Sequence, residues 1–223
     1  MLHKTQGIVF KYIKYRESSI IVSIFTEAFG IQSYVVNGVR SSKSTNNKIA
    51  LFQPLTCLDL VVYFKESSSL HRISEIKCNP PFRSIPIDIR KSSIALFLTE
   101  FLSKIIKEQH DTETLFTFIQ QSVLVLDHLD NGFENFHIQF LVKLSSYLGF
   151  GISENNELEL LLQEDRESYS LLNQLNETSF DNHLKVSNTM RLQLLHALLY
   201  YYKQHYPTLN EIKSLNVLRE VLH

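Results

Sequence analysis

Two groups of cations stand out among the residues able to do chemistry. Lys11, Lys14 and Arg16 are interleaved with Tyr12 and Tyr15, and Arg40, Lys43 and Lys48 bracket the polar run Ser41–Asn47. Lysine and arginine neutralise phosphates and release counterions, and an exposed tyrosine gives a base a face to stack on. The same residues would serve equally as solubilising charges on strand ends, with the tyrosines packed inside. On side-chain type alone, nucleic-acid binding and plain solvation both stay open.

Catalytic patterns do not emerge. There is no G-x-x-x-x-G-K-[ST] loop, no H-E-x-x-H helix and no G-x-S-x-G elbow. The nine histidines are scattered, and none pairs at ligand spacing beside a third candidate. Asp127 and Asp130 flank His128, which reads as polar chemistry at a helix end rather than as an acid–base pair. Two cysteines, Cys57 and Cys78, are too few for a four-thiolate zinc site or a disulfide framework. No catalytic residue, metal or cofactor is therefore expected.

The elements that must position the cations follow from periodicity. Ile8, Phe10 and Tyr12 alternate, as do Ile20, Val22 and Ile24; Ile31, Ser33, Val35, Asn37 and Val39 share one face opposite Tyr34, Val36 and Arg40. Leu58, Leu60, Val62 and Phe64 form a fourth run, and Leu70, Arg72, Ser74 and Ile76 a fifth. Five short strands suit a small barrel, because closure removes the exposed edges. Small five-stranded barrels bind single strands with basic and aromatic side chains.

Pro80, Pro81 and Pro86 then interrupt the chain, and the period becomes helical. Stripes run through Ile94, Phe97, Leu98, Phe101, Leu102, Ile105 and Ile106, then Leu115, Ile119, Val123 and Leu126. A third has Phe140, Leu141, Leu144 and Leu148 before Gly149 and Gly151. Two more run through Leu192, Leu195, Leu199 and Tyr202, and through Ile212, Leu215, Leu218 and Leu222; residues 152–186 are polar and weakly periodic. The expectation is an α+β chain: a β-barrel over 1–80, a proline-rich linker over 81–87 and a helical domain over 88–223.

The net charge of −1 conceals a division. Residues 1–85 carry 11 Lys and Arg against 5 Asp and Glu, a balance of +6, whereas residues 86–223 carry 11 against 18, a balance of −7. A basic β unit joined to an acidic helical one suggests a polyanion-binding module on a partner-binding module. A scaffold whose barrel grips a partner chain instead of nucleic acid is the alternative. No apolar run reaches the ~18–20 residues of a membrane span, and the first ten residues lack a signal-peptide core, so a soluble, cytoplasmic protein is expected.

An ordered set of short pieces carries a family resemblance. Gly7-Ile8-Val9, Tyr15-x-Glu17-Ser18, Phe25-Thr26-Glu27 with Gly30, Gly38-Val39-Arg40 with Ser44, Gln53-Pro54 and Ser74-Glu75 resemble the opening of the RecO family of DNA repair proteins. Phe82-Arg83 with Ile85-Pro86, Ala95-Leu96-Phe97-Leu98-x-Glu100, Leu115-Phe116 and Leu148-Gly149-Phe150 continue the likeness, as do Tyr201-Tyr202, His205 and Lys213-Ser214-Leu215. The resemblance implies an N-terminal oligonucleotide-binding (OB) barrel followed by a helical domain. It also implies a recombination mediator, not an enzyme. Such a protein binds single- and double-stranded DNA, anneals complementary strands and helps RecA displace single-stranded-DNA-binding protein (SSB) at gaps. It acts with RecR, often with RecF, and contacts the acidic C-terminal tail of SSB.

Arg40, in the matching Gly-Val-Arg piece, is then the foremost candidate phosphate contact, with Lys43 and Lys48 beside it and Lys11, Lys14 and Arg16 extending the surface. The SSB-tail site implied for the helical domain needs cations beside an apolar notch. Lys104, Lys107 and Lys143 are candidates without a motif match of their own, a solvated helix face being the alternative. Many RecO proteins hold zinc with four cysteines after Leu-Gly-Phe, and residues 150–223 here contain no cysteine. Residues 152–186 then replace the zinc segment, held by packing of residues such as Leu158, Leu161, Tyr169, Leu172 and Phe180. Elemental analysis of the purified protein is expected to find no stoichiometric zinc.

Overall fold

The computed structural model describes residues 1–39, 48–106, 112–152, 158–159, 162 and 165–222. Five strands come first: β1 (Leu2–Tyr15), β2 (Ser19–Thr26), β3 (Gly30–Val36), β4 (Cys57–Tyr63) and β5 (His71–Cys78). Six α-helices follow among the described residues: α1 (Ile89–Ile105), α2 (Thr112–His128), α3 (Phe136–Tyr147), α4 (Arg166–Glu177), α5 (Asn188–His205) and α6 (Ser214–Leu222). No helix among the described residues is long and apolar enough to cross a membrane.

The strands close into a barrel in the order β1-β2-β3-β5-β4, with β4 returning to β1. This is the OB arrangement expected from the sequence. Every pairing is antiparallel except β3–β5, which is parallel and only two residue pairs long, Tyr34 with His71 and Val35 with Arg72. The interior holds Val9, Ile20, Val22, Ile24, Tyr34, Phe52, Leu58, Leu60 and Val62. β1 contributes Gly7 where a Cβ would come 2.6 Å from Ile24 and 2.8 Å from Leu60, so the crossing leaves no room for a side chain.

Two bulges alter the simple alternation read from sequence. In β1 the register slips between Val9 and Lys11, so Val9 and then Tyr12 face inward, three residues apart. Ile8 and Phe10 lie outside, where Phe10 stacks on Phe25 at 5.8 Å and Phe25 meets Phe116 of α2 at 5.8 Å. In β5 a second slip makes Ile73, Ile76 and Cys78 the inward residues, in place of the expected Leu70, Arg72, Ser74 and Ile76 face. An extra residue in one strand moves everything beyond it to the other face, which a period-2 pattern cannot anticipate. Phe29, Phe64 and His71 stack in series, at 4.1 and 4.9 Å, against this core.

The chain forms two compact units, Met1–Arg83 with Ala95–Gln121 and Ser84–Ile94 with Ser122–His223. In the second, Asp127 is 3% exposed and its carboxylate accepts from the backbone N–H of Ser84 and of Ile85, each at 2.9 Å. Lys91, also buried, donates to Ser84 Oγ and to the Asp127 carbonyl and lies 5.1 Å from the Phe133 ring. Burial lowers the pKa of that ammonium, against the opposing pull of Asp127.

The α3 region presents donors at i, i+4 and i+8 that hold the last turn of α4 and the segment following it. Asn135 donates to Leu184 O (2.7 Å), Gln139 to Thr178 O (3.0 Å) and Ser179 O (3.1 Å), and Lys143 to Asn176 O (2.6 Å). Phe180 stacks on Phe136 at 4.6 Å. Leu158 and Leu172 are buried and Tyr169 is half-buried, whereas Leu161 lies outside the described residues. The Asp165 side chain caps α4 through Ser168 N, and that of Ser187 caps α5 through Met190 N. Arg191 is 6% exposed and ties Asn135, Asn188, Val186 O and Leu222 O together. α5 buries Leu194, Leu195, Leu198, Tyr201 and Tyr202, rotated from the expected stripe, because Tyr201 and Tyr202 place their hydroxyls on Phe150 O and Leu141 O. Gly149, at φ 83, ends α3 in the left-handed conformation as its sequence position suggested.

Replacing Asp127 with Ala leaves two backbone N–H groups and a buried ammonium without their anion. It is expected to cost about 3–5 kcal/mol, and Asp127→Asn, which keeps one acceptor, about 1–2 kcal/mol. Chemical-denaturation midpoints of the two variants check that order.

Candidate nucleic-acid interface

Strand register decides which cations share a surface. Lys11 pairs with Ser23, and Ser23 with Ser33, a row on the outer face. Lys14 pairs with Ile20, and Ile20 with the inward-facing Val36, so Lys14 belongs to the rim of the barrel interior. Three residues apart in unbroken register, Lys11 and Lys14 thus lie on opposite faces of β1. Arg16 occupies the β1–β2 turn at φ 51, with its guanidinium 5.1 Å from the Tyr15 ring. Ser19 Oγ donates to Asn37 Oδ1 at 2.9 Å, which ties the end of that turn to the end of β3.

Lys48 opens a 3₁₀ turn (Lys48–Phe52) and is exposed. It borders a cleft of about 830 Å³ with Val36, Asn37, Leu51, Arg72 and Ile73 around it. The cleft exists because β3 and β5 part beyond their two paired residues. Among the described residues its lining includes Lys48 and Arg72 and no carboxylate. Arg40 and Lys43 lie outside the described residues. A second cleft of about 550 Å³ includes Lys4 and Lys77 but also Glu27, Asp59 and Glu75. Three carboxylates against two ammoniums make it the poorer bed for a polyanion.

A continuous outward row also crosses the barrel. Ile13 pairs with Ile21, Ile21 with Val35, Val35 with Arg72, and Arg72 with Tyr63. All five point outward, since Tyr12, Ile20, Val22, Tyr34, Val36, Ile73 and Val62 beside them pack inward. Ile13 is 59% exposed, Tyr63 is 52% exposed and Arg72 is exposed. At ~4.8 Å per strand the row spans about 19 Å. Neither Arg72 nor Tyr63 stood out in the sequence. The tyrosines beside the cations were the visible signal, and of those Tyr12 packs against the core and Tyr15 is half-buried.

Cations of the helical stretch are placed differently. Lys104 pairs with Glu100 at 3.2 Å one turn away. Lys143 is half-buried, bonded to Asn176 O and 5.8 Å from the Phe180 ring, and burial lowers its pKa. Lys107 lies outside the described residues.

Comparison with known proteins accords with this architecture. The family model described as "Recombination protein O N terminal" matches residues 1–82, and "Recombination protein O C terminal" matches residues 87–159. The chain is 36% identical to the DNA repair protein RecO of Flavobacterium johnsoniae over 234 residues, covering 98% of each. It is 36% identical to that of Bacteroides fragilis over 241 residues and 31% identical to that of Christiangramia forsetii over 238, covering 99% of each chain in both cases. With an OB barrel at its start, both family models in order and relatives aligned nearly end to end, the chain belongs to the RecO family of DNA repair proteins.

Proposed function

We propose that this chain is a recombination mediator that binds single- and double-stranded DNA, anneals complementary strands and, with RecR, helps load RecA onto SSB-coated DNA. The observation that carries the reading is the open β3–β5 cleft, bordered by Lys48 and Arg72 with no carboxylate in its described lining, on a barrel of this family. The +6 balance of residues 1–85 supports it. The mechanism is competitive binding rather than bond chemistry: cations hold the phosphate backbone while the acidic helical stretch engages protein partners. Many weak contacts then sum to displace SSB. RecR, the SSB tail and in some settings RecF are the proposed partners, and cytoplasmic DNA gaps the place of action.

Arg40, Lys43 and Lys48 are the proposed phosphate contacts, extended by Lys11, Lys14 and Arg16. About four such contacts on a single strand give a log–log salt slope near −3. Replacing Arg40, Lys43 and Lys48 together by Ala is expected to flatten that slope by about 2 with the fold intact; an unchanged slope would remove them from the surface.

Annealing of SSB-coated complementary oligonucleotides tests the activity itself. Acceleration that requires an intact SSB tail is expected. No acceleration, together with no DNA binding at low salt, would favour the scaffold reading.

A further inference from the structure

We infer that the outward row Ile13–Ile21–Val35–Arg72–Tyr63 is a track for unpaired DNA, with Tyr63 as the base-stacking residue and Arg72 as its phosphate contact. The inference rests on the DNA-binding reading above and deepens it by separating single strands from duplex.

Three observations carry it. The row is contiguous through five strands, its order fixed by backbone register, and the parallel β3–β5 pair sets Arg72 between Val35 and Tyr63. It combines an exposed aromatic face, exposed aliphatic surface and a guanidinium, and the structure gives Arg72 no carboxylate partner among the described residues. Arg72 also borders the cleft that Lys48 overlooks, so the cations continue from the row into the cleft.

The chemistry selects the occupant. Apolar and aromatic surface beside cations favours a polyanion that also has exposed π-faces. Unpaired nucleotides present those faces, whereas a duplex keeps its bases stacked inside and offers the protein mainly phosphates. About 19 Å of track, at ~4.8 Å per strand, accommodates a few nucleotides, in keeping with the ~4–16 taken by OB folds. The nearest outward neighbours along β4 and β5 are Val61 and Glu75, and Lys4 on β1 continues that neighbouring row through its pairing with Val61. Duplex binding then relies on cations away from the row.

The test uses the full chain and three labelled probes: oligothymidylate, an abasic strand of equal length, and a duplex, in low-salt anisotropy titrations. Tyr63→Ala is expected to weaken oligothymidylate binding about five- to a hundredfold, with abasic-strand and duplex affinities changed less than about twofold. Tyr63→Phe should retain binding. Arg72→Ala should reduce the single-strand salt slope by about 0.7. Tyr63 is half-exposed, and an unaltered melting temperature establishes that the variant is folded. A folded Tyr63→Ala that binds oligothymidylate like the wild type, or loses all three probes equally, overturns the track while leaving DNA binding in place. A wild-type protein that binds none of the probes overturns the proposed function instead.

Discussion

The two-residue parallel pairing of β3 with β5 is the constraint on which the barrel's surface chemistry depends. It closes an otherwise antiparallel sheet and so removes the edges that would invite association with other chains. Because it is so short, the strands part just beyond it, and the gap becomes the cleft overlooked by Lys48. The same pairing inserts Arg72 between Val35 and Tyr63 and joins two halves of an outward row. Closure, cleft and cation placement are consequences of one register.

In the second unit, side-chain hydrogen bonds to backbone groups fix where the irregular stretches sit on the packed core. Asp127 fixes the start of that unit through two N–H bonds, and Asn135, Gln139 and Lys143 fix the stretch 176–184 through its carbonyls. These bonds satisfy irregular backbone that would otherwise be costly to bury. Arg191 does the same for the end of α6 through Leu222 O. Together Asn135, Gln139 and Lys143 form a ladder of donors one helical turn apart. The commitment of Lys143 to Asn176 O gives that residue a structural task of its own.

The balance of charge takes on a clearer shape in this setting. A polyanion approaching the basic stretch meets cations on the rim, the cleft and the outer row, while the acidic stretch carries most of the carboxylates. Weak, screened contacts of this kind give fast, reversible binding.

The sequence by itself determined the kinds of element and their order except for α4 (Arg166–Glu177), whose polar, weakly periodic stretch gave no helical stripe to read. Alternation in the first eighty residues, helical stripes after the prolines, the stop at Gly149 and the charge split were all legible, because each depends on neighbours within a turn or a strand. The ordered Gly7-Ile8-Val9 to Lys213-Ser214-Leu215 pieces gave the family for the same reason. The tertiary structure decided which face each residue occupies. The bulges in β1 and β5 flip the phase so that Lys11 and Arg72 turn outward and Lys14 turns to the rim of the interior. Tyr63 gained its place from partners on β1 and β5, and the α3 donors from carbonyls more than thirty residues away. Local periodicity fixes conformation, but register between distant segments depends on how the whole core fills, and no window of sequence contains that information.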